Sequence, residues 1–163
     1  MLSGSFYTKI GLLSISEANG CIVSLNWEEK EKKSPNNVAS GLINEAKRQI
    51  EAFLEGKLLV FNLPISPAGS VFQKKVYSLL SSICFGEVRT YGELAKTIPS
   101  SPRAVGNACA SNPIPIIIPC HRVLSKTSLG GYSGIGGVET KRFLLDLERN
   151  SLKNKVFENK GNK

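Results

Sequence analysis

The segment Ile114-Pro115-Ile116-Ile117-Ile118-Pro119-Cys120-His121-Arg122-Val123 constrains this chain most. Prolines fix φ and push the preceding residue toward extended backbone. Branched apolar residues around them demand burial. A stiff, extended stretch must therefore run through the interior, carrying Cys120 and His121, the only histidine, with it. An imidazole beside a thiol is a common route to a thiolate near neutral pH. Buried free cysteine is also ordinary packing, and a lone histidine an ordinary core residue, so the pair alone admits both readings. Neighbouring side chains in extended chain face opposite ways, so His121 is expected to reach Cys120 through a water or after a turn. A catalytic imidazole needs a third group to orient it. Glu148, one helical turn from Leu144 and Leu145, is the best-placed carboxylate; Glu139 and Asp146 are the alternatives.

The 163 residues suffice for one domain, or one domain with a small appended lobe, whose core needs no disulfide staples. A net charge of +8 favours nucleic acid or an anionic membrane as partner, and is equally compatible with a soluble protein that is simply basic. The four cysteines, Cys21, Cys84, Cys109 and Cys120, include no C-x-x-C pair, so no structural metal site is expected and no cofactor is implied. The amino terminus lacks the basic and apolar regions of a signal peptide, and no apolar run spans a bilayer. These features predict a cytoplasmic protein with reduced thiols.

Two lobes are predicted. Residues 6–16 read as a strand and 21–27 as a second, joined at Asn19-Gly20. Residues 28–37 read as a charged surface loop. From Val38, apolar residues recur at helical spacing up to Leu54, with Gly56 as a stop. Residues 58–63 are a candidate strand, and the proline-rich stretch 64–69 a lobe boundary. Ser70 is a candidate N-cap for a helix running to Cys84 and closed at Gly86. Thr90-Tyr91-Gly92-Glu93 is a capping box for a short helix stopped by Pro99, and Ser101-Pro102 opens another that ends at Asn112-Pro113. This pair reads as a helix-turn-helix. Its second helix is small-surfaced, with Ala104, Gly106, Ala108, Cys109 and Ala110. Such a helix either packs closely on a neighbour or approaches another polymer by shape, since it offers little for reading base edges. The glycine-rich stretch 130–137 does not match a phosphate-binding loop; it is a connector or a pocket wall with Tyr132 as a lining group. A final helix is expected over 138–148, with a polar, lysine-rich tail fraying from Asn150.

Pro119-Cys120-His121-Arg122-Val123 resembles the active-site motif of the O6-alkylguanine-DNA alkyltransferases. Phe85-Gly86-Glu87-Val88 with Thr90-Tyr91, Arg103-Ala104-Val105-Gly106, Asn112-Pro113-Ile114-Pro115 and Gly131-Tyr132-Ser133-Gly134 follow that family's blocks in order. Lys141, Leu144-Leu145 and Glu148 complete the series. The resemblance covers residues 70–148. The first lobe is similar to the family's smaller domain only in layout. The implied fold is α/β (α+β) and two-lobed, with a small N-terminal antiparallel sheet and helix, and a mainly helical C-terminal lobe. The implied organisation is a small domain over 1–66, a DNA-binding and alkyl-transfer domain over 67–150, and a basic flexible tail over 151–163.

What the resemblance implies for chemistry is specific. Cys120 would attack the alkyl carbon on O6 of guanine, and also on O4 of thymine, in duplex DNA. His121 would act as base through water, oriented by Glu148. Tyr91 would give a proton toward guanine N3, and Asn112 would brace the turn carrying the cysteine. Tyr132, Ser133 and the Val123 region would hold the base. Arg103 would fill the gap left by the extruded nucleotide, with Ala104, Gly106, Cys109 and Ala110 against the DNA. The thioether product is irreversible, so each chain would act once. The expected partner is lesion-bearing DNA, bound by a monomer without a membrane or an obligate protein partner.

Cys109 and Ala110 are smaller than the residues some relatives carry there, which predicts a weaker grip on DNA for which the basic tail could compensate. Zinc ligands and the additional zinc module of transcription-activating relatives are not evident. The main alternative is a lesion-binding protein of the same fold without transfer activity, which the presence of Cys120 disfavours. A cysteine hydrolase is disfavoured by the adjacency of Cys120 and His121, and a sequence-reading regulator by the bare second helix.

Overall fold

The computed structural model describes residues 1–29 and 40–160. Most of the predicted 28–37 loop and the start of the helical pattern at Val38 fall outside these residues. Three antiparallel strands, β1 (Leu2–Thr8), β2 (Gly11–Ala18) and β3 (Cys21–Glu28), form a sheet in the order β1-β2-β3. Phe6 pairs with Leu13, and Ile15 with Leu25, so one face of the sheet is apolar and buried. Helix α1 (Gly41–Leu54) covers that face with Ile43, Ala46, Ile50 and Phe53 at 3–4-residue spacing. Burial of each larger side chain in this row contributes about 1.5–3 kcal/mol. Ser40 starts the helix: its Oγ accepts from the Ile43 amide (3.3 Å) and donates to Glu17 Oε2 (2.5 Å), pinning α1 to β2.

Two strand expectations are corrected. Residues 6–16 form not one strand but the inner parts of β1 and β2. The turn between them lacks Asn-Gly and is built by a side chain. Thr8 Oγ1 accepts from the Ile10 amide (3.2 Å) and donates to the Gly11 carbonyl (2.8 Å). Residues 58–63 form no strand. Gln49 of α1 bonds both the carbonyl (3.0 Å) and the amide (2.8 Å) of Asn62, doing the job of a ladder partner. Sheet-like pairing occurs only beyond this stretch, where Ile22 bonds Pro64 and Ser66.

The helical half comprises α2 (Val71–Ser81), α3 (Tyr91–Thr97), α4 (Pro102–Ala110) and α5 (Val138–Lys160). A reciprocal Ser70–Gln73 box caps α2, a Thr90–Glu93 box caps α3, and Ser101 with Pro102 opens α4. Helix α2 stops at Ser81, three residues before the expected Cys84. Helices α3 and α4 pack on each other, and α4 on α2. A two-residue parallel pair, β4 (Arg89–Thr90) with β5 (Val123–Leu124), sets the start of α3 beside the end of the cysteine segment.

The final helix also differs from expectation: α5 continues through Asn150 to Lys160. Its polar composition predicts fraying, but close approaches hold it. A β-carbon on Gly86, which has φ +81°, would lie 2.2 Å from Leu152 Cδ1, and one on Gly56 2.2 Å from Ser151 Oγ. Cutting the chain at Asn150 would therefore remove packed residues along with the tail.

One continuous core joins the sheet half to the helical half. The Phe53 ring of α1 lies 5.8 Å from Phe85 at 86° and 6.3 Å from the His121 imidazole. The Leu25 amide of β3 donates to the Pro113 carbonyl (2.9 Å). Among the described residues no helix is long and apolar enough to cross a membrane.

Candidate active site

The cysteine segment is not extended throughout. Cys120–Arg122 forms a 3-10 turn, in which the Arg122 amide bonds the Pro119 carbonyl (3.0 Å) and the Val123 amide bonds that of Cys120. Side chains in such a turn fan out about 120° apart, so Cys120 and His121 can serve different surroundings. Upstream, Ile116 holds φ +73°, a left-handed conformation that costs a branched residue about 1–3 kcal/mol. Asn112 clamps both sides of it. Its Oδ1 accepts from the Ile114 amide (3.0 Å) and its Nδ2 donates to the Ile118 carbonyl (2.9 Å).

Behind the cysteine lies a buried polar cluster. His121 is fully buried, and its Nε2 lies 2.7 Å from Glu148 Oε1. A carboxylate at that distance accepts, so Nε2 carries the proton and Nδ1 keeps its lone pair; Nδ1 has no protein partner among the described residues. Glu148, also fully buried, accepts from Arg122 Nε (3.0 and 3.1 Å) and Nη2 (2.9 Å), and from the Gly86 amide (2.8 Å). Arg122 Nη1 donates to the Ile83 carbonyl (2.6 Å). Burial opposes the charge on Glu148, but the hydrogen bonds from His121 and Arg122 and the Arg122 charge outweigh it and hold the carboxyl below its ordinary range. For His121 burial dominates over the Glu148 bond, so the ring's pKa is lowered and it rests neutral.

In front of the cysteine is an open cavity of about 460 Å³, a size suited to a small organic ligand. Cys120, Tyr91, Arg103, Gly106, Cys109, Ala110, Tyr132 and Ser133 all line it. Asn112, His121 and Glu148 stand behind the wall instead. Two predicted site residues are placed elsewhere. Ala104 is half-buried outside the cavity, and Val123 is core, with its carbonyl accepting from Lys141 Nζ (2.5 Å). Lys141 is fully buried and also donates to the Gly131 carbonyl (3.1 Å), tying the glycine-rich stretch to α5. Desolvation lowers its pKa.

The cavity groups rest protonated. Burial raises the Cys120 thiol, against the opposing pull of Asn112 and the Lys141 charge. Burial, then the neighbouring Cys120, pushes Cys109 up to about 12. Tyr91 is likewise pushed up to about 12, by burial first and the two cysteines second. Tyr132 lies well above its usual range, and its buried hydroxyl has no protein partner among the described residues. The thiol and the two phenols that line the cavity are thus held in their neutral forms, with Arg103 the charged group in the wall.

Sequence reasoning missed Arg122, the Gly86 amide, Lys141 and Asn107, another lining residue, as working parts of the site. Arg122 and Gly86 stand inside quoted blocks, but their role depends on Glu148 arriving from far along the chain. A charged side chain closing a buried apolar run was the available signal for Arg122.

A buried thiol on the wall of an open cavity, with a His–Glu pair behind it and a small-surfaced helix beside it, fits the class of proteins in which a cysteine reacts with a ligand drawn into a pocket. Comparisons with known proteins agree. The family described as 6-O-methylguanine DNA methyltransferase, DNA binding domain, matches residues 71–150. A methylated-DNA–protein-cysteine methyltransferase of Methanosarcina mazei is 45% identical over 131 residues, covering 77% of this chain and 82% of that one. The constitutive enzyme of that name from Bacillus subtilis is 38% identical over 164 residues, covering 91% and 95%. Among solved structures, Mycobacterium tuberculosis OGT in complex with DNA superposes with a TM-score of 0.80 at 35% identity, covering 91% of this chain and 93% of that one. The chain belongs to the methylated-DNA–protein-cysteine methyltransferase family, which repairs DNA by moving an alkyl group directly onto a cysteine of the protein.

Proposed function

We propose that the substrate is O6-alkylguanine in duplex DNA and that Cys120 is the acceptor. The observation that carries this is the Cys120 thiol on the cavity wall with the His121–Glu148–Arg122 cluster behind it. His121 Nδ1, directly or through a water, takes the thiol proton. The sulfur attacks the alkyl carbon, the S–C bond forms as the C–O6 bond breaks, and the electron pair passes into the purine. Tyr91, neutral because its pKa is raised, donates a proton toward N3, so the base departs as neutral guanine. Glu148 holds the imidazole in its working tautomer and offsets the charge it gains, and Arg122 fixes Glu148 in place. O4-alkylthymine presents the same bond and is the second substrate.

A stacked base cannot bring its O6 substituent to a buried sulfur, so the nucleotide rotates out of the duplex at a cost of about a few kcal/mol, less where alkylation has weakened pairing. Helices α3 and α4 act as a helix-turn-helix. The small residues of α4 approach the minor groove and Arg103 occupies the space vacated in the duplex. Tyr132 and Ser133 contact the extruded base. The 1–66 segment acts as a supporting domain and 67–150 as the reactive one. The protein works as a monomer in the cytoplasm, with no protein partner required.

The test is incubation with a duplex containing one O6-methylguanine, followed by intact-protein and peptide mass. A gain of one methylene unit per chain, located on Cys120, is expected. Replacing Cys120 by Ala should abolish transfer and leave lesion binding in place. Repeated turnover, a label elsewhere or an unaltered polypeptide would overturn the assignment. The same Cys120→Ala comparison separates transfer from mere lesion binding.

A further inference from the structure

The backbone of the glycine-rich strip is held on both sides of Tyr132. Lys141 Nζ donates to the Gly131 carbonyl (3.1 Å), and the Gly137 amide donates to the Gly134 carbonyl (2.9 Å). The Tyr132 side chain has no such tie. Its buried hydroxyl lacks a protein partner among the described residues. Packing alone therefore aims this ring, which lines the cavity that Cys120 also lines.

The aromatic group packed on it comes from the sheet half. Trp27 of β3 meets the Tyr132 ring edge to face, with centroids 6.1 Å apart and planes at 84°, an arrangement that aromatic pairs prefer. Trp27 is itself anchored. Its Nε1 donates to the Ile10 carbonyl (3.0 Å) in the turn between β1 and β2, and its backbone pairs with Leu13 across the sheet. Both rings close over the buried Gly134, where a β-carbon would lie 2.5 Å from Tyr132 Cε1 and 2.8 Å from Trp27 Cη2. Removing the indole would open space beside the Tyr132 ring, and no hydrogen bond would keep the ring from moving into it.

We infer that Trp27 is a positioning residue for the transfer reaction: it fixes the Tyr132 ring as a wall for the extruded base. The inference deepens the assignment proposed above and rests on it. The sheet half thereby shapes a cavity whose reacting groups lie in the helical half.

The test is single-turnover transfer from a duplex carrying O6-methylguanine, measured over a range of duplex concentrations so that the maximal rate and the half-saturating concentration separate. A misplacement of about 1 Å can cost about 10²-fold in rate. Trp27→Ala should accordingly lower the maximal rate by about tenfold to 10²-fold. The half-saturating concentration should change little, because affinity for the duplex rests mainly on phosphate contacts. Trp27→Phe, which keeps an aromatic edge, should recover most of the loss. In a Tyr132→Ala background, which has no ring to hold, Trp27→Ala should add little further loss. The same fold-loss in both backgrounds, a Phe variant as slow as the Ala variant, or a loss carried wholly by the half-saturating concentration would show that Trp27 only braces the fold, and would overturn the inference alone. A native rate in Trp27→Ala would do the same. Should Trp27→Ala fail to fold, Trp27→Leu takes its place, supplying apolar volume without a ring: Leu slow and Phe fast supports the inference, and equal rates overturn it. A native chain that transfers nothing would overturn the transfer assignment and this inference with it.

Discussion

Cys120 stands between two unlike surroundings. On its inner side, Glu148 carries bonds from His121, Arg122 and the Gly86 amide, and the cluster is sealed from solvent. On its cavity side, the Tyr132 hydroxyl has no protein partner among the described residues, and the walls are made mostly of small or aromatic groups. The difference teaches where the protein's own organisation stops. The buried His121–Glu148–Arg122 cluster finds its partners within the protein, whereas the Tyr132 hydroxyl beside the cavity finds none among the described residues. Preorganisation of the first kind removes reorganisation from the chemical step.

This contrast can be broken from either side. The largest effect is expected on the inner side. Glu148→Gln leaves the buried Arg122 charge without its counter-ion and His121 without an anionic acceptor. Losing one partner of a buried pair costs about 3–5 kcal/mol. A large fall in chemical-denaturation stability should accompany slower transfer; unchanged stability would mean that the cluster is not sealed.

On the cavity side, Tyr91→Phe removes a proton donor without disturbing the inner cluster. Transfer should slow by about 10²-fold, with stability near that of the native protein. A rate loss that vanishes for substrates with better leaving groups would sharpen the assignment of Tyr91 to leaving-group protonation.

The two sides also differ in their response to pH. The Cys120 thiol is held up by burial, so the transfer rate should climb as pH rises into the alkaline range. The His121 pKa is lowered on folding. Between its unfolded value of about 6.5 and its lower folded value, the unfolded chain binds the extra proton, so stability falls as pH drops through that window. Glu148, lowered on folding, adds a loss at more acid pH: its contribution is complete above the unfolded carboxyl value of about 4.3 and disappears as pH falls through the folded one. A melting temperature that stays flat from about pH 7.5 to 5.5 would contradict a neutral, buried His121.

The smallest effect belongs to the exposed rim. Arg103→Ala should weaken lesion binding and reduce the slope of log affinity against log salt by about 1 if the guanidinium meets a phosphate. If it instead only fills the vacated stack, affinity should fall with the slope unchanged.

What the sequence disclosed follows the same division. The capping residues Ser70, Thr90 and Ser101 are local signals, and the helices start where they stand. Glu148 was readable because its helical register against Leu144 and Leu145 is local too. The β1–β2 turn was not, since Thr8 replaces the usual Asn-Gly signal with a side-chain bond. Nor was the persistence of α5 past Asn150, which depends on Gly56 and Gly86 from other parts of the chain. Arg122 and Lys141 acquire their partners only when distant segments meet. Val123 was assigned to the ligand because its block matches, while its contacts make it core.

Helix α5 supplies both Lys141 and Glu148. Seven residues separate them, which places them on one face two turns apart, about 10 Å along the axis. Lys141 grips the strip bearing Tyr132 and Ser133, and Glu148 grips the imidazole. A single rigid rod therefore keeps the cavity wall and the buried imidazole in calibration. A slip of the rod would detune both ends together, so neither could drift while the other stayed true.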